Sequence, residues 1–305
     1  LFFPGSPQDK KASRALWVRK IDNMPAHFNY TRGIEEPNAE AIKWIQASAF
    51  RERLTLHRNL GIKNLTKLPD GKFELTDSKG GVHQADYVIL CSGVMDVQPL
   101  FDGSIEPIFP YANAQLVDYC IRCDGHHIKD KATAIIGHTT SAAWVAVMLY
   151  ERYRPPQMHL LAHGQTFSYD EQTREMMDMY GIERHDAVIK EFHGDAKAQQ
   201  FEGFTFADGK RLNLAFAFVS LGMIVYNELA KQVGAVVDAR GFVQADAAGL
   251  TNVAGFYVAG DVMAGTKKQI YTAWDTAVNA ADHINLKIRS LRREADLAAF
   301  RAKKS

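Results

Sequence analysis

Apolar and polar positions follow one another along this chain in short blocks whose period changes. Between Ala39 and His57 the apolar residues Ile42, Ile45, Phe50 and Leu54 fall near helical spacing and predict one amphipathic helix. Phe73 to Thr76 and Tyr87 to Cys91 are short β-rich runs separated by the Gly80-Gly81 turn and followed by the breakers Gly93 and Pro99. Ala132 to Ile136 is an apolar run that meets Gly137, and Ser141 to Tyr150 continues at helical period, which predicts a strand-turn-helix unit. A second such unit follows, His159 to Ala162 and then Tyr169 to Met179. Behind it come strand-like runs at Phe201–Phe206 and Leu212–Leu221 and a small helix near Asn227–Val233. Gly255 to Val258 reads as a buried strand ending at Ala259-Gly260-Asp261, and a long helix is expected from about Thr272, its end past Ser290 solvated. Strand-helix units in the middle with strands on both sides predict an α/β domain inserted into another.

Composition narrows the class. The chain has 305 residues, 47% apolar and 23% charged, near the averages for globular proteins, and that length suits two domains or one domain carrying an insertion. A net charge of +1 supplies no field for nucleic acid or anionic lipid, so neither is expected as a partner. The longest nearly unbroken apolar run, Leu214 to Val225, is shorter than the roughly 20 residues of a membrane span and reads as a buried strand. No secretory signal pattern opens the chain, so the expected location is the cytoplasm. Leu1 is not Met, and LFFPGSP reads as the end of a buried strand running into a turn, so the chain is expected to begin inside a domain.

Two segments carry candidate chemistry. Cys120-Ile121-Arg122-Cys123 is followed by Asp124-Gly125-His126-His127, and two thiols at this spacing can close and open a disulfide ring. The alternatives are two ordinary buried thiols or a zinc site using His126 or His127. No second ligand pair stands at finger spacing, and no metal is expected there. Cys91 lies alone in an apolar run and reads as packing. The second segment is Tyr257-Val258-Ala259-Gly260-Asp261. There a strand ending in Gly-Asp places a carboxylate at the sheet edge where ligands bind, or else supplies only a turn glycine and a helix-capping Asp.

Taken together, CIRCDGHH, then AIIGHTTSAAWVAVML, then FYVAGDVMAGTKKQIYTAWDTAVNAA resemble the low-molecular-weight thioredoxin reductases, which are FAD-dependent pyridine nucleotide disulfide oxidoreductases. The resemblance runs from about Asp22 to about Leu286. It implies an α/β fold, a split Rossmann-like FAD domain with a smaller nucleotide-type domain inserted. Residues 1–112 would form the first part of the FAD domain, 113–246 the inserted domain carrying the dithiol, and 247–305 the second part with the C-terminal helix. The redox dithiol then maps onto Cys120 and Cys123 and the acid–base group onto Asp124. Flavin contacts map onto Asn23, onto Gly93 in Cys91-Ser92-Gly93, onto Gly260 and Asp261, and onto the backbone of Lys268, Gln269 and Ile270. The activity implied is electron flow from FAD through the dithiol to the disulfide of a thioredoxin-like protein or small molecule. The protein would be a homodimer whose inserted domain rotates on hinges near Tyr111–Gln115 and Val243–Thr251.

Two departures from that pattern bear on the electron donor. Where the family has a G-x-G-x-x-A turn for NADPH, this chain has Gly137-His138-Thr139-Thr140-Ser141-Ala142, and the Cβ of Thr139 would crowd a pyrophosphate. Where the family holds the 2′-phosphate with a His-Arg-Arg cluster, this chain has Ala162-His163-Gly164. NAD(P)H is therefore expected as donor only if Thr139 and Gly164 are tolerated; ferredoxin, which serves some relatives, is the alternative. His138 and His163 read first as helix-end packing and second as new ligands. The family's opening G-x-G-x-x-G unit for the FAD pyrophosphate does not precede Leu1, so FAD binding by this chain alone is expected to be weak. The rival from another class is a redox-inert scaffold that has lost the flavin.

Overall fold

The structure, a computed structural model, describes residues 1–11 and 19–304. It divides into two compact units. One comprises Leu1–Ser13, Ser48–Met95 and Val225–Ser305, the other Arg14–Ala47 and Asp96–Ile224. The chain thus passes between units at Met95/Asp96 and Ile224/Val225, upstream of residues 112 and 246, where the family resemblance implies the boundaries.

The first unit is built on β-structure. Ile62–Lys67, Phe73–Asp77 and Val82–Ala85 form an antiparallel sheet with Leu65 opposite Leu75. Phe73, Leu75 and Asp77 alternate with partly exposed neighbours, as a half-buried strand requires. Val88–Leu90 pairs in parallel with Phe256–Val258, whose three side chains are all buried. Phe73, Leu90, Phe256, Val258 and Val262 meet in one core. The 33-residue helix Ile270–Ala302, about 50 Å long, follows on the Gly-Asp segment, and the Thr276 hydroxyl accepts a hydrogen bond from Gly260 N at 2.9 Å. Beyond Ser290 the helix is exposed throughout, as expected.

The second unit holds a five-stranded parallel sheet in the order Val117–Asp118, Phe216–Val219, Thr133–Ile136, Met158–Leu161, Glu183–His185. The three inner strands are buried along their whole length, which is why they read as continuous apolar runs. Helix Thr140–Tyr153 packs on one face through Ala142, Ala143, Ala146 and Val147, whose short side chains allow close approach to Ile135 and Leu160. An antiparallel sheet of Ile189–His193, Gly203–Phe206 and Arg211–Asn213 completes the unit.

Four expectations change. The helix predicted over Ala39–His57 runs instead over Glu35–Ala47, followed by a 3-10 turn at Arg51–Arg53. Its start is fixed by Pro37, tolerated only in a first turn, and by Glu36, whose carboxylate accepts from Thr31 N and Arg32 N. Past its end, Ser48 Oγ accepts from Phe50 N and diverts the backbone. The run Leu214–Val225 is split: Phe216–Val219 is buried, while Gly222 at φ +99° turns the chain into a second short strand, Met223–Val225. Cys91 lies just past the end of its strand; the residue reaches the surface, while burial of its thiol pushes the pKa up to about 11. The opening residues form only an isolated bridge between Phe2 and Leu56, with Leu1 and Phe2 exposed. Among the described residues no helix is long and apolar enough to cross a membrane.

Candidate active site

In the second unit, the strand Val117–Asp118 delivers the chain to Tyr119 and then to Cys120, which begins the short helix Ile121–Asp124. Cys120 and Cys123 are joined in a disulfide, their Cα atoms 5.3 Å apart, and Cys120 Sγ accepts from Cys123 N at 3.2 Å. Both sulfur-bearing residues are half-buried, and Arg122 between them is exposed. Asp124 is 6% exposed. A carboxylate oxygen of Asp124 and the two sulfurs lie within 4.8 Å of one another, and so do an oxygen of Asp124, an oxygen of Asp118 and a nitrogen of His127.

Behind Asp124 lies a polar network. His127 Nδ1 and Asp118 Oδ2 are 2.8 Å apart, and Asp22 stands 3.7 Å from His127 Nε2 while accepting from the Gln115 amide at 3.0 Å. The hydrogen bond to Asp118 raises the His127 pKa, and burial raises that of Asp118 itself. Tyr119 donates to Gln98 at 2.8 Å, and burial pushes its phenol up as well.

The first unit carries the second constellation. Gly260 follows the strand Phe256–Val258 at φ +73°, a conformation suited to glycine, and is buried, whereas Asp261 is partly exposed. Gly93 has φ +71° and open space where a side chain would stand. Gln269 is the N-cap of the long helix without a side-chain cap, and Ile270 is its first residue. The Lys268 ammonium donates to Met263 O at 2.7 Å and lies 4.0 Å from the Phe242 ring; burial lowers its pKa to about 8. Asn23 belongs to the other unit and is exposed.

At the turn after Thr133–Ile136, a side chain on Gly137 would meet Ala142 Cβ at 2.5 Å and Ser220 O at 2.6 Å. Thr139 caps the following helix, its hydroxyl accepting from Ala142 N at 3.4 Å. Thr139 also bridges to Ser168, whose N–H donates to His138 O at 2.7 Å. His163 has one ring nitrogen 2.8 Å from Leu100 O, and the other accepts from Ile189 N at 3.0 Å. These bonds tie its ring to two backbone groups, neither of them at a helix end.

Residues 30–282 match the model of the pyridine nucleotide-disulphide oxidoreductases. The chain belongs to that family. Among curated relatives, it is 26% identical over 176 residues to thioredoxin reductase of Ureaplasma parvum, covering 54% of each chain. It is 27% identical over 177 residues to thioredoxin reductase of Mycoplasma genitalium, covering 57% of this chain and 54% of the other. The chain spans about half the length of the curated relatives it matches. In fold it resembles a putative thioredoxin reductase from Bacillus anthracis at TM-score 0.72 and 17% identity, over 94% of this chain and 90% of that one. The α/β fold of the split Rossmann type is thus the fold of this chain.

For a flavin of this family, the first unit offers backbone rather than side-chain chemistry. The N-terminus of a long helix, a left-handed glycine at a strand end and an open glycine at Gly93 lie in it. Asp118 and His127 were missed as partners of Asp124. The signals were a carboxylate in a strand two residues before Cys120 and the doubled histidine, weighed only as zinc ligands.

Proposed function

We propose that this chain acts as a flavin-dependent disulfide oxidoreductase of thioredoxin-reductase type, with Cys120 and Cys123 as the redox dithiol and Asp124 as the acid–base group. The observation that carries this reading is the position of Asp124, a buried carboxyl next to both sulfurs on one side and to Asp118 and His127 on the other. Gly93, Gly260, Asp261 and the backbone of Lys268, Gln269 and Ile270 would hold FAD. Bound FAD would supply the two electrons that reopen the disulfide. One thiolate then attacks the substrate disulfide, forming a mixed disulfide and releasing a substrate thiolate. The second thiolate attacks the protein sulfur of that mixed disulfide, closing the Cys120–Cys123 bond and releasing the other substrate thiolate. Two electrons leave the dithiol and two protons end on the product thiols, with Asp124 carrying protons between the sulfurs and His127. The substrate class is a thioredoxin-like protein or a small-molecule disulfide.

A second reading concerns the donor: electrons reach the flavin from ferredoxin or another carrier rather than from NAD(P)H. It is supported by the Thr139 hydroxyl on the helix terminus where a pyrophosphate would bind, and by His163, whose two nitrogens are both engaged by backbone.

The test is an anaerobic titration of the FAD-supplied protein with NADPH, NADH and reduced ferredoxin, followed by a thiol count. Flavin bleaching with two new thiols, absent in Cys120→Ser, is the expected result. Bleaching by NADPH overturns the second reading alone. Bleaching with an unchanged thiol count overturns the dithiol assignment of the first reading, and no retention of FAD overturns that reading whole and leaves a redox-inert scaffold.

A further inference from the structure

The five-stranded sheet of the second unit has two edges. The dithiol follows the strand at one, Val117–Asp118; the other is Glu183–His185, paired in parallel with Met158–Leu161. In that register His159 stands opposite Glu183 and Leu161 opposite His185, so His159, Glu183 and His185 share one face of the sheet. Their polar atoms converge. His159 Nδ1 is 3.2 Å from His185 Nε2 and 3.5 Å from Glu183 Oε2, and His185 Nε2 is 3.7 Å from the same oxygen. A triangle with these edges has its centre about 2.0 Å from each corner, the bond length of zinc to imidazole nitrogen and carboxylate oxygen.

We propose that His159, Glu183 and His185 bind a divalent transition-metal ion of the zinc class, with water in the fourth position. His159 is 3% exposed, so its ring is fixed by packing with Nδ1 aimed at the other two groups. The His185 ring is held by stacking on Phe206, with centroids 5.5 Å apart and planes 11° apart. Glu183 is 67% exposed. A carboxylate so open to water has no need to turn toward two imidazoles, yet it does, and its exposure leaves room for the water ligand. Asp186, Asp208 and Lys210 also border His185. The ion would tie the outer strand to its neighbour and stabilise the folded unit by binding only to it. It would also hold an edge strand that presents unpaired backbone groups.

The test uses the full chain with the Cys120–Cys123 disulfide closed and the free Cys91 replaced by serine, so that no thiol takes up metal. Equilibrium dialysis against Zn2+ should give one tightly held equivalent in the parent and its loss in both His185→Gln and Glu183→Gln. His127→Gln, at the separate cluster beside the dithiol, should keep it. Thermal midpoints should rise with Zn2+ in the parent and stay unchanged in the two ligand variants. Glu183→Gln preserves side-chain size at an exposed position, and circular dichroism checks its fold. Co2+ should give the visible bands of a four-coordinate nitrogen–oxygen site in the parent alone. Equal zinc uptake in the parent and both ligand variants overturns the proposal, as does loss of the equivalent in His127→Gln with retention in His185→Gln.

Discussion

The dithiol segment and the nucleotide turn lie in the same unit, and both read in sequence as motifs of one family, yet they have kept different things. At Cys120–His127 the side chains proposed to do chemistry are surrounded by further polar groups, Asp118 and His127 on Asp124 and Asp22 on His127. At Gly137–Ala142 the backbone is kept: a strand, a glycine with no room for a side chain, and a helix. There the Thr139 hydroxyl caps the helix from within, accepting from Ala142 N. The sheet and the helix need Gly137 for packing whether or not a nucleotide binds there. Asp124, by contrast, is a buried carboxyl next to a disulfide, and burying such a group costs stability that its polar neighbours must offset.

The strongest way to break this comparison is at the dithiol. Cys123→Ser should abolish disulfide reduction while leaving FAD retention unchanged, measured by turnover of a small disulfide and by bound flavin. Loss of flavin along with turnover would mean that the segment serves packing, like the turn. Asp124→Asn should leave the disulfide intact and slow the same turnover by roughly 10²–10⁴-fold, the usual worth of general acid–base catalysis.

At the turn the expected effect is on stability. In Gly137→Ala the new methyl would meet Ala142 Cβ and the Ser220 carbonyl, both held by the helix and the sheet, at contacts no real side chain makes. Overpacking of this kind costs about 1–3 kcal/mol, read as a shift of the denaturant midpoint at constant slope. A neutral outcome would mean that Gly137 is kept for a ligand and not for the fold.

The order of legibility in the sequence follows the same division. The strand-turn-helix around Gly137 and the Cys-x-x-Cys motif are local patterns, readable because every participant lies within a few residues. Asp22, Asp118 and His127 meet only through the sheet, and so do His159 and His185, which stand on neighbouring strands joined by a helix. No spacing rule links them. The early end of the helix at Ala47 was hidden for another reason: Ile45, Phe50 and Leu54 continue the helical period across a break made by Ser48 bonds to the backbone. The partly local signal of Gly222 inside an apolar run could have been weighed more heavily, since its φ of +99° is what divides Phe216–Val219 from Met223–Val225.

A smaller effect concerns pH. The Asp118 carboxylate raises the His127 pKa in the folded state above that of the unfolded chain. Protonated His127 therefore favours folding; its contribution is complete below about pH 6.5, the unperturbed value, and is lost as pH rises through the higher folded value. Thermal midpoints followed upward from about pH 6 should fall more steeply in the parent than in His127→Asn. Parallel curves would detach His127 from Asp118 and weaken the view that the dithiol side is an electrostatically organised site.

The smallest effect sharpens the comparison most. If Thr139 only caps its helix, Thr139→Ala should cost about 0.5–1 kcal/mol, the low end for a cap because the bond is long at 3.4 Å, and Thr139→Gly only a few tenths. Thr139→Gly at the same time removes the Cβ that stands in the way of a pyrophosphate and returns the helix terminus to a ligand. Fluorescence titration with NADPH and NADH should show no binding to the parent and weak binding to Thr139→Gly, weak because Ala162-His163-Gly164 still offers no cation for a 2′-phosphate. NADH should therefore bind Thr139→Gly at least as well as NADPH. Tight NADPH binding by the parent would show that the threonine yields to the nucleotide, and the contrast between a preserved dithiol and a vacated turn would be lost.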